Sequence, residues 1–270
     1  AYNALPGATT PDMWSHQYDQ QSNQVSVSIA KREWSSNFDD SNIYGFMPNF
    51  GCCLANMHQG WPKFVESMWM ATNDNGLALV TYGPSVVKAN AGKGNEVTIT
   101  EETDYPFKGS VKLSIGTMKP SRFPVYLRIP GWTDSVTISY KNKTLVVKNE
   151  TQFRINEKWK NGDQITIEIP MDIRIEKRYN NSLSVIRGPL YFSLRIGKEY
   201  KSVKSIFDNF SFKGSIDWAI NPVSAWNYGL LIDKKNIMRG IKVGENPIAK
   251  YPFSDKGDMV WSTDSGKYII

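Results

Sequence analysis

The spacing of apolar residues changes once along the chain, from a helical period near the N-terminus to a period of two after residue 76. Before that point, apolar side chains recur every three or four residues over 54–68, which predicts a helix. Pro62 falls inside this pattern and removes one main-chain hydrogen bond, so we expect a short first turn and then a firmer helix to about Met70. Residues 73–76, Asn-Asp-Asn-Gly, form a strong turn signal that ends the helical region.

After this turn, short segments of alternating apolar and polar residues follow one another, separated by Gly, Pro, Asn and Asp. The predicted strands cover residues 77–82, 97–103, 111–115, 124–129, 135–140 and 164–169, and then 173–178, 182–187 and 190–194. Many short strands joined by such turns are typical of antiparallel β-sandwiches. The tail from residue 218 has a weaker period, and we interpret it as closing strands and long loops of a second sandwich.

These patterns predict a mainly β protein with a helical segment in front. We expect three regions: a helical region over 1–72, a first antiparallel β-sandwich over 73–175 and a second over 176–270. The chain has 270 residues, enough for several modules that each bury a core.

Charge and hydropathy exclude two classes of partner. The chain carries 32 basic and 26 acidic residues, and the excess of +6 is spread without a basic run, so we expect no nucleic-acid partner. No stretch approaches the run of about 18 apolar residues that spans a bilayer, so we expect no membrane partner. Aromatic residues make up 13% of the chain, which is typical of sugar-handling proteins and equally of large β-sheet cores.

Cys52 and Cys53 are the only cysteines, and they are adjacent. Neighbouring thiols cannot form a disulfide without strong strain, so thiolate chemistry or metal ligation remains, beside the alternative of two small buried hydrophobic residues. Both residues fall in the first turn of the predicted helix, where main-chain N–H groups and the helix dipole favour an anionic sulfur. The pair is therefore the main candidate for chemistry in this sequence.

Other candidate groups lie on either side of this pair. The segment 11–21 is rich in polar and aromatic residues that can line a pocket, and it includes His16, which is either a hydrogen-bonded structural residue or a ligand or base. We interpret His58, on the predicted helix, as structural. Glu33, Asp39 and Asp40 have no distinctive spacing, and we interpret them as solvated loop acids.

Several motifs together resemble glycoside hydrolase family 127 and its close relatives. The motifs are residues 2–6 (Tyr-Asn-Ala-Leu-Pro), 11–14 (Pro-Asp-Met-Trp), 16–18 (His-Gln-Tyr), 51–53 (Gly-Cys-Cys) with Asn56, 127–132 (Leu-Arg-Ile-Pro-Gly-Trp) and 187–190 (Arg-Gly-Pro-Leu). Members of this family are β-L-arabinofuranosidases with an (α/α)6 barrel followed by two β-sandwiches. The resemblance implies that this chain is the C-terminal part of such an enzyme, with residues 1–72 closing the barrel.

The resemblance also implies roles for individual residues. Cys52 matches the cysteine nucleophile and Cys53 a zinc ligand. Tyr18 matches a tyrosine that touches the sugar, and its neighbours His16 and Gln17 become candidate substrate-binding residues. The family's other zinc ligands and its acid/base glutamate lie upstream of Ala1, so zinc is expected in the full-length parent, and this chain alone should turn over no substrate.

The expected partners are therefore a glycan substrate and the missing N-terminal barrel portion. An alternative function is a non-catalytic β-sandwich module that binds carbohydrate or supports another domain, which requires neither metal nor thiolate. A periplasmic or secreted location is expected ahead of a cytoplasmic one, since zinc-protected thiolates persist in a periplasm, although reduced thiols also suit a cytoplasm.

Overall fold

The computed structural model describes residues 17, 25–45, 51–193, 196–203, 217–230, 233, 235–236, 241–248, 261–265 and 267–269. The backbone divides into two compact units. Pro62–Tyr191 form one unit, called here the sandwich unit, and Ala1–Trp61 with Phe192–Ile270 form the other, called the cysteine unit. The protein is mainly β, as the sequence predicts. The three predicted domain boundaries stay a prediction.

An α-helix, α1, covers Gly51–Glu66, with Pro62 inside it. The prediction of a helix to Met70 is wrong at its C-terminal end, because Trp69–Ala71 form strand β1. There the indole of Trp69 donates a hydrogen bond to the Ser85 hydroxyl at 3.0 Å, so sheet contacts override the helical spacing of the sequence. No helix among the described residues is long and apolar enough to cross a membrane.

The sandwich unit contains two sheets that share one core. The strands, in chain order, are β1 (Trp69–Ala71), β2 (Leu77–Leu79), β3 (Ser85–Ala91), β4 (Asn95–Thr103), β5 (Ser110–Thr117), β6 (Ser121–Arg128), β7 (Ser135–Tyr140), β8 (Lys143–Lys148), β9 (Gln152–Trp159) and β10 (Gln164–Glu168). One sheet has the order β1-β2-β6-β9 and the other β3-β4-β5-β10-β7-β8. Neighbouring strands in these two sheets are antiparallel except β2 and β6, which run parallel.

The core between these sheets follows from the alternating sequence pattern. Inward residues of β4, β5 and β10 are almost fully buried, and they pack in one cluster with inward residues of β2, β6 and β9. The largest buried side chain is Trp159, whose indole donates a hydrogen bond of 2.9 Å to the Phe123 carbonyl. The first sandwich predicted from the sequence is therefore present.

Three further strands end the sandwich unit, and the remaining ones lie in the cysteine unit. β11 (Ile173–Lys177), β12 (Leu183–Arg187) and β13 (Leu190–Tyr191) form one antiparallel sheet, with a 3-10 turn at Tyr179–Asn181. In the cysteine unit, β14 (Lys198–Val203) pairs with β15 (Asp217–Pro222), β16 (Tyr228–Leu230) with β19 (Lys267–Ile269), and β17 (Ile241–Glu245) with β18 (Trp261–Ser265). These pairs are antiparallel.

A polar cluster fixes the turn between β1 and β2 against β6 and β9. The carboxylate of Asp74 accepts hydrogen bonds from the Thr72 hydroxyl at 2.6 Å, the Tyr126 hydroxyl at 2.9 Å and the Arg154 guanidinium at 2.9 Å. The Thr72 bond is the largest cause that lowers the pKa of Asp74 to about 2, and Arg154 and Tyr126 lower it further. The turn predicted at residues 73–76 is therefore anchored by its own aspartate.

Replacing Asp74 by asparagine is expected to lower the melting temperature at pH 7 by a few degrees at most, since the cluster is solvent-exposed. The pKa of Asp74 is depressed in the folded state, so its contribution is present above the ordinary value of 3.8 and lost as the pH falls through about 2. The difference in melting temperature between wild type and Asp74→Asn should be smaller at about pH 2 than at pH 7. The exposed Asp134→Asn is the matched control, and a pH-independent difference would contradict the prediction.

Candidate functional site

The cysteine pair lies where the sequence places it, in the first turn of a helix. α1 begins at Gly51, so Cys52 and Cys53 are its second and third residues. Main-chain N–H groups in a first turn lack partners within the helix, and the first turn of α1 has no acidic residue whose charge would oppose a thiolate. The side chains of residues 51–55 lie outside the described part, so Cys52 as nucleophile and Cys53 as zinc ligand stay predictions.

Of the three residues predicted to contact sugar, Gln17 is described, whereas His16 and Tyr18 lie outside the described residues. Gln17 is fully buried, and its Nε2 donates a hydrogen bond to the main-chain carbonyl of Asn42. The opposite amide orientation would place two oxygens against each other, so this contact fixes which end of the Gln17 amide faces Asn42. Its oxygen, Oε1, therefore points to the other side of the amide.

The residues around Asn42 form a buried polar turn that the sequence analysis did not identify. Ser41 N–H donates to the Phe38 carbonyl at 2.9 Å and Ile43 N–H to the Asp40 carbonyl at 3.2 Å. Asp40, Ser41 and Asn42 are each at most 2% exposed. The interpretation of Asp40 as a solvated loop acid is therefore wrong, because this turn buries its carboxyl group.

The two other acids of this region, Glu33 and Asp39, are exposed, as predicted. Asp39 and Asp40 are neighbours in the sequence, and the turn exposes the first side chain and buries the second. No spacing in the sequence distinguishes the exposed acid from the buried one.

This polar turn is attached to a strand from the far end of the chain. Tyr44 exchanges main-chain hydrogen bonds with Trp218, and Val27 exchanges them with Ile220. Both partners belong to β15, whose other edge pairs with β14, so β15 is an inner strand. The segment that precedes the cysteine helix is thus held by β15.

Among the residues that the structure describes, no group of three or more His, Cys, Asp or Glu side chains could hold a metal ion. The side chains of the two cysteines are not among these residues. Thiolate sulfur is a favoured zinc ligand, and Cys53 would supply one of the about four donors that such a site needs. The donor chemistry of the chain therefore fits zinc in part.

Glu101, a buried acid in the sandwich unit, has surroundings that shift the pKa of its carboxyl group. It is 2% exposed, and it accepts hydrogen bonds from Gly83 N–H at 3.0 Å and from the Ser85 hydroxyl at 2.7 Å. Burial is the largest influence on its pKa and raises it, against these two bonds. Both oxygens are occupied and shielded from solvent, so we assign Glu101 a structural role.

Replacing Glu101 by glutamine is expected to change how stability depends on pH. Because the pKa is raised in the folded state, the contribution of Glu101 is fully present below the ordinary value of 4.5 and is lost as the pH rises through the folded pKa. We therefore expect the free energy of unfolding of wild type, measured in urea relative to that of Glu101→Gln, to fall as the pH rises from 4 to 8. Glu101→Ala, which leaves both donors without an acceptor, should lose about 2–3 kcal/mol. Equal pH profiles for wild type and Glu101→Gln would contradict the prediction.

Comparison with protein families finds a match within the sandwich unit. Residues 76–171 match the family model of the β-L-arabinofuranosidase, GH127 middle domain. The match covers β2 to β10, the strands that form most of the two packed sheets. The resemblance to glycoside hydrolase family 127 is thereby confirmed for this part of the chain. No curated protein matches the chain significantly.

Solved structures share the fold over most of the chain. A glycoside hydrolase aligns with a TM-score of 0.58 and 17% identity, over 82% of this chain and 44% of its own. A GH127 β-arabinofuranosidase aligns with a TM-score of 0.52 and 19% identity, over 82% and 41%. A GH127 β-L-arabinofuranosidase from Geobacillus stearothermophilus T6 has a TM-score of 0.49 and 16% identity, over 82% and 42%. This chain therefore spans less than half the length of each, and the first two likenesses show a common fold.

Proposed function

We propose that this chain is the C-terminal part of a retaining glycoside hydrolase that removes β-L-arabinofuranose with a cysteine nucleophile beside zinc. The observation that carries the proposal is the match of residues 76–171 to the GH127 middle domain. The adjacent cysteines in the first turn of α1 support it, because this position favours a thiolate. The reaction further requires an acid/base residue and additional zinc ligands, which we propose that the full-length protein supplies.

In the proposed reaction, Cys52 supplies the electron pair that displaces the sugar's leaving group. Its sulfur forms a bond to the anomeric carbon while the bond from that carbon to the leaving oxygen breaks, and the upstream carboxylic acid protonates that oxygen. Water then attacks the anomeric carbon, the carbon–sulfur bond breaks, and the carboxylate takes the proton from water. Two displacements at one carbon give retention of configuration.

Cys53 is the residue of this chain that would hold zinc. Bound zinc would keep a neighbouring thiol deprotonated near neutral pH. The contribution of this chain is to carry both cysteines in one helical turn, and to hold Val27 and Tyr44, which precede that turn, against β15. Gln17, His16 and Tyr18 are proposed to bind the sugar.

The test uses the whole reading frame that encodes this chain, expressed beside this chain alone. We expect the longer protein to bind about one zinc per polypeptide and to hydrolyse an aryl β-L-arabinofuranoside, and this chain alone to do neither efficiently. Metal analysis and release of the aryl alcohol are the measurements. A longer protein that binds no zinc, or that does not turn over the arabinofuranoside, would overturn the proposal.

A second candidate function is non-catalytic carbohydrate binding, which one observation favours. Trp226 exposes 49% of its surface in the cysteine unit, and such a ring can stack on the apolar face of a sugar. This function predicts that residues 77–270 alone bind a glycan. It also predicts that replacing both cysteines leaves that binding unchanged.

A further inference from the structure

A small open cavity lies at the C-terminal end of β6 in the sandwich unit. It has a volume of about 90 Å³, and it is lined by residues 80–82, Tyr105, Arg128 and residues 130–132. Arg128 and Gly131 are exposed, so the cavity opens to solvent. One water molecule needs about 10–15 Å³ of such space, so the cavity has room for a group of several non-hydrogen atoms.

The walls of this cavity are fixed by the fold. The Tyr82 hydroxyl donates a hydrogen bond to the main-chain carbonyl of Arg128. The ring centroids of Tyr82 and Tyr105 lie 5.6 Å apart, and the rings of Tyr105 and Trp132 pack against the core of the sandwich unit. A ligand that enters such a cavity has few side chains to order, so little of its binding free energy is lost.

Arg128 brings a positive charge to the cavity that no acid in the described part of the chain neutralises. Its guanidinium donates one long hydrogen bond, of 3.4 Å, to the Val80 carbonyl, and the residues that line the cavity include no acid. The buried Glu101 accepts its bonds from Gly83 N–H and the Ser85 hydroxyl instead. A guanidinium has five N–H donors, so most of those of Arg128 remain available to a ligand.

Tyr105 adds a hydroxyl donor near this charge. Burial is the largest influence on the pKa of Tyr105 and raises it, whereas a hydrogen bond from the Trp132 side chain and the charge of Arg128 lower it. The hydroxyl therefore keeps its proton near neutral pH. An indole N–H is a donor only, so the Tyr105 oxygen accepts that bond and its own proton is left for a ligand.

We propose that this cavity binds the carboxylate of a uronic acid residue in a glycan. The Arg128 guanidinium would pair with the carboxylate, the Tyr105 hydroxyl would donate to it, and the rings of Tyr105 and Trp132 would contact the apolar face of the sugar. A cation is repelled by Arg128, and a neutral sugar gains nothing from its charge. Sites that enclose a whole ligand exceed about 300 Å³, so this cavity takes the carboxyl end of one residue.

The test is a heteronuclear NMR titration of this chain with D-galacturonate, D-galactose and acetate, followed at the indole N–H signal of Trp132. Loss of that signal in Trp132→Phe assigns it. We expect D-galacturonate to bind at least about tenfold more tightly than D-galactose, which lacks the carboxylate, and than acetate, which lacks the ring. Arg128→Gln should bind D-galacturonate at least about tenfold more weakly than wild type does.

Arg122→Gln is the matched control for Arg128→Gln. Arg122 is also exposed on β6, six residues or about 20 Å along the strand, so its substitution should leave the affinity unchanged. The melting temperature of Arg128→Gln should equal that of wild type, since the Arg128 side chain makes one long bond within the described part of the chain. If Arg128→Gln does not fold, Arg128→Lys decides, because it keeps the charge without the fork and should bind more weakly than wild type.

Each other outcome opposes the proposal. Equal affinity for D-galacturonate and D-galactose would show that the charge of Arg128 plays no part. Equal affinity for acetate would show that the sugar ring is not recognised. An equal loss in Arg122→Gln would assign the effect to general surface charge, and absence of binding by wild type would exclude the site.

The choice of a sugar acid rests on the proposed function, but the two fail separately. The cavity uses neither cysteine, so this chain with Cys52→Ser and Cys53→Ser should bind D-galacturonate as wild type does. In the longer protein, Arg128→Gln should leave turnover of the aryl β-L-arabinofuranoside unchanged, because that substrate has no carboxylate. Trp226→Ala should leave D-galacturonate binding unchanged, which separates the cavity from a site at Trp226.

Discussion

Cys52→Ser in the whole reading frame is expected to lower turnover of an aryl β-L-arabinofuranoside by about 10³-fold or more. A serine hydroxyl stays protonated near neutral pH and is a much weaker nucleophile than a thiolate in the first turn of a helix. The measurement is the single-turnover rate with saturating substrate, which excludes effects on product release.

Cys53→Ser provides the matched control, since it changes the neighbouring residue in the same helical turn. If Cys53 is a zinc ligand, its substitution should lower the zinc content more than Cys52→Ser does. Full turnover in Cys52→Ser would contradict the assignment of the nucleophile. Equal zinc loss in both variants would contradict the division of roles between the two sulfurs.

Trp159→Ala is expected to have the largest effect on stability, about 3–5 kcal/mol in the free energy of unfolding. The Trp159 ring is fully buried, and its indole N–H donates a hydrogen bond to the Phe123 carbonyl. The centroid of this ring lies 6.3 Å from the ring centroid of Phe123 and 6.4 Å from that of Tyr140. Alanine leaves a cavity between the two sheets and a carbonyl without its donor. Urea unfolding followed by circular dichroism measures the loss.

Trp159→Phe separates these two contributions. Phenylalanine retains most of the ring's packing but lacks the indole N–H, so we expect a smaller loss of about 1–2 kcal/mol. If the alanine variant does not fold, the phenylalanine variant still gives a measurable transition. An alanine variant within about 1 kcal/mol of wild type would show that Trp159 does not hold the sheets together.

The sequence predicts the inner strands of the sandwich unit and misses its edges. β7 lies where alternation predicts it, at Ser135–Tyr140, and β4 contains the predicted segment 97–103. β3 and β8 are the two edge strands of the six-stranded sheet, and most of their residues are partly or fully exposed. An edge strand buries little of either face, so its hydrophobic pattern is weak.

The sequence pattern also fails to predict β9, and here the reason is different. Its inward positions read Phe153, Ile155 and Trp159, but Glu157 interrupts the series. The carboxylate of Glu157 accepts a hydrogen bond from Lys143 at 2.8 Å, and that bond is the largest cause of its lowered pKa. Glu157, paired with a lysine of the other sheet, thus occupies a position at which the alternating pattern predicts an apolar residue.

Nearby sequence determines one part of the candidate site, and residues far along the chain determine the other. The helical first turn at Cys52 and Cys53 depends on nearby residues, and it could be predicted. The burial of Asp40 and Asn42 depends on pairing with β15, which follows much later in the chain, and no local pattern reveals it. Gln17 was identified through its motif, while its contact with the Asn42 carbonyl became visible only in the folded chain.

The pairing of Val27 and Tyr44 with β15 has a consequence for where this polypeptide can be cut. A truncation after Tyr191 retains every strand of the sandwich unit, yet it deletes the backbone on which the residues before α1 are hydrogen-bonded. Shortened versions ending there should thus show intact sheets together with protease-sensitive N-terminal residues.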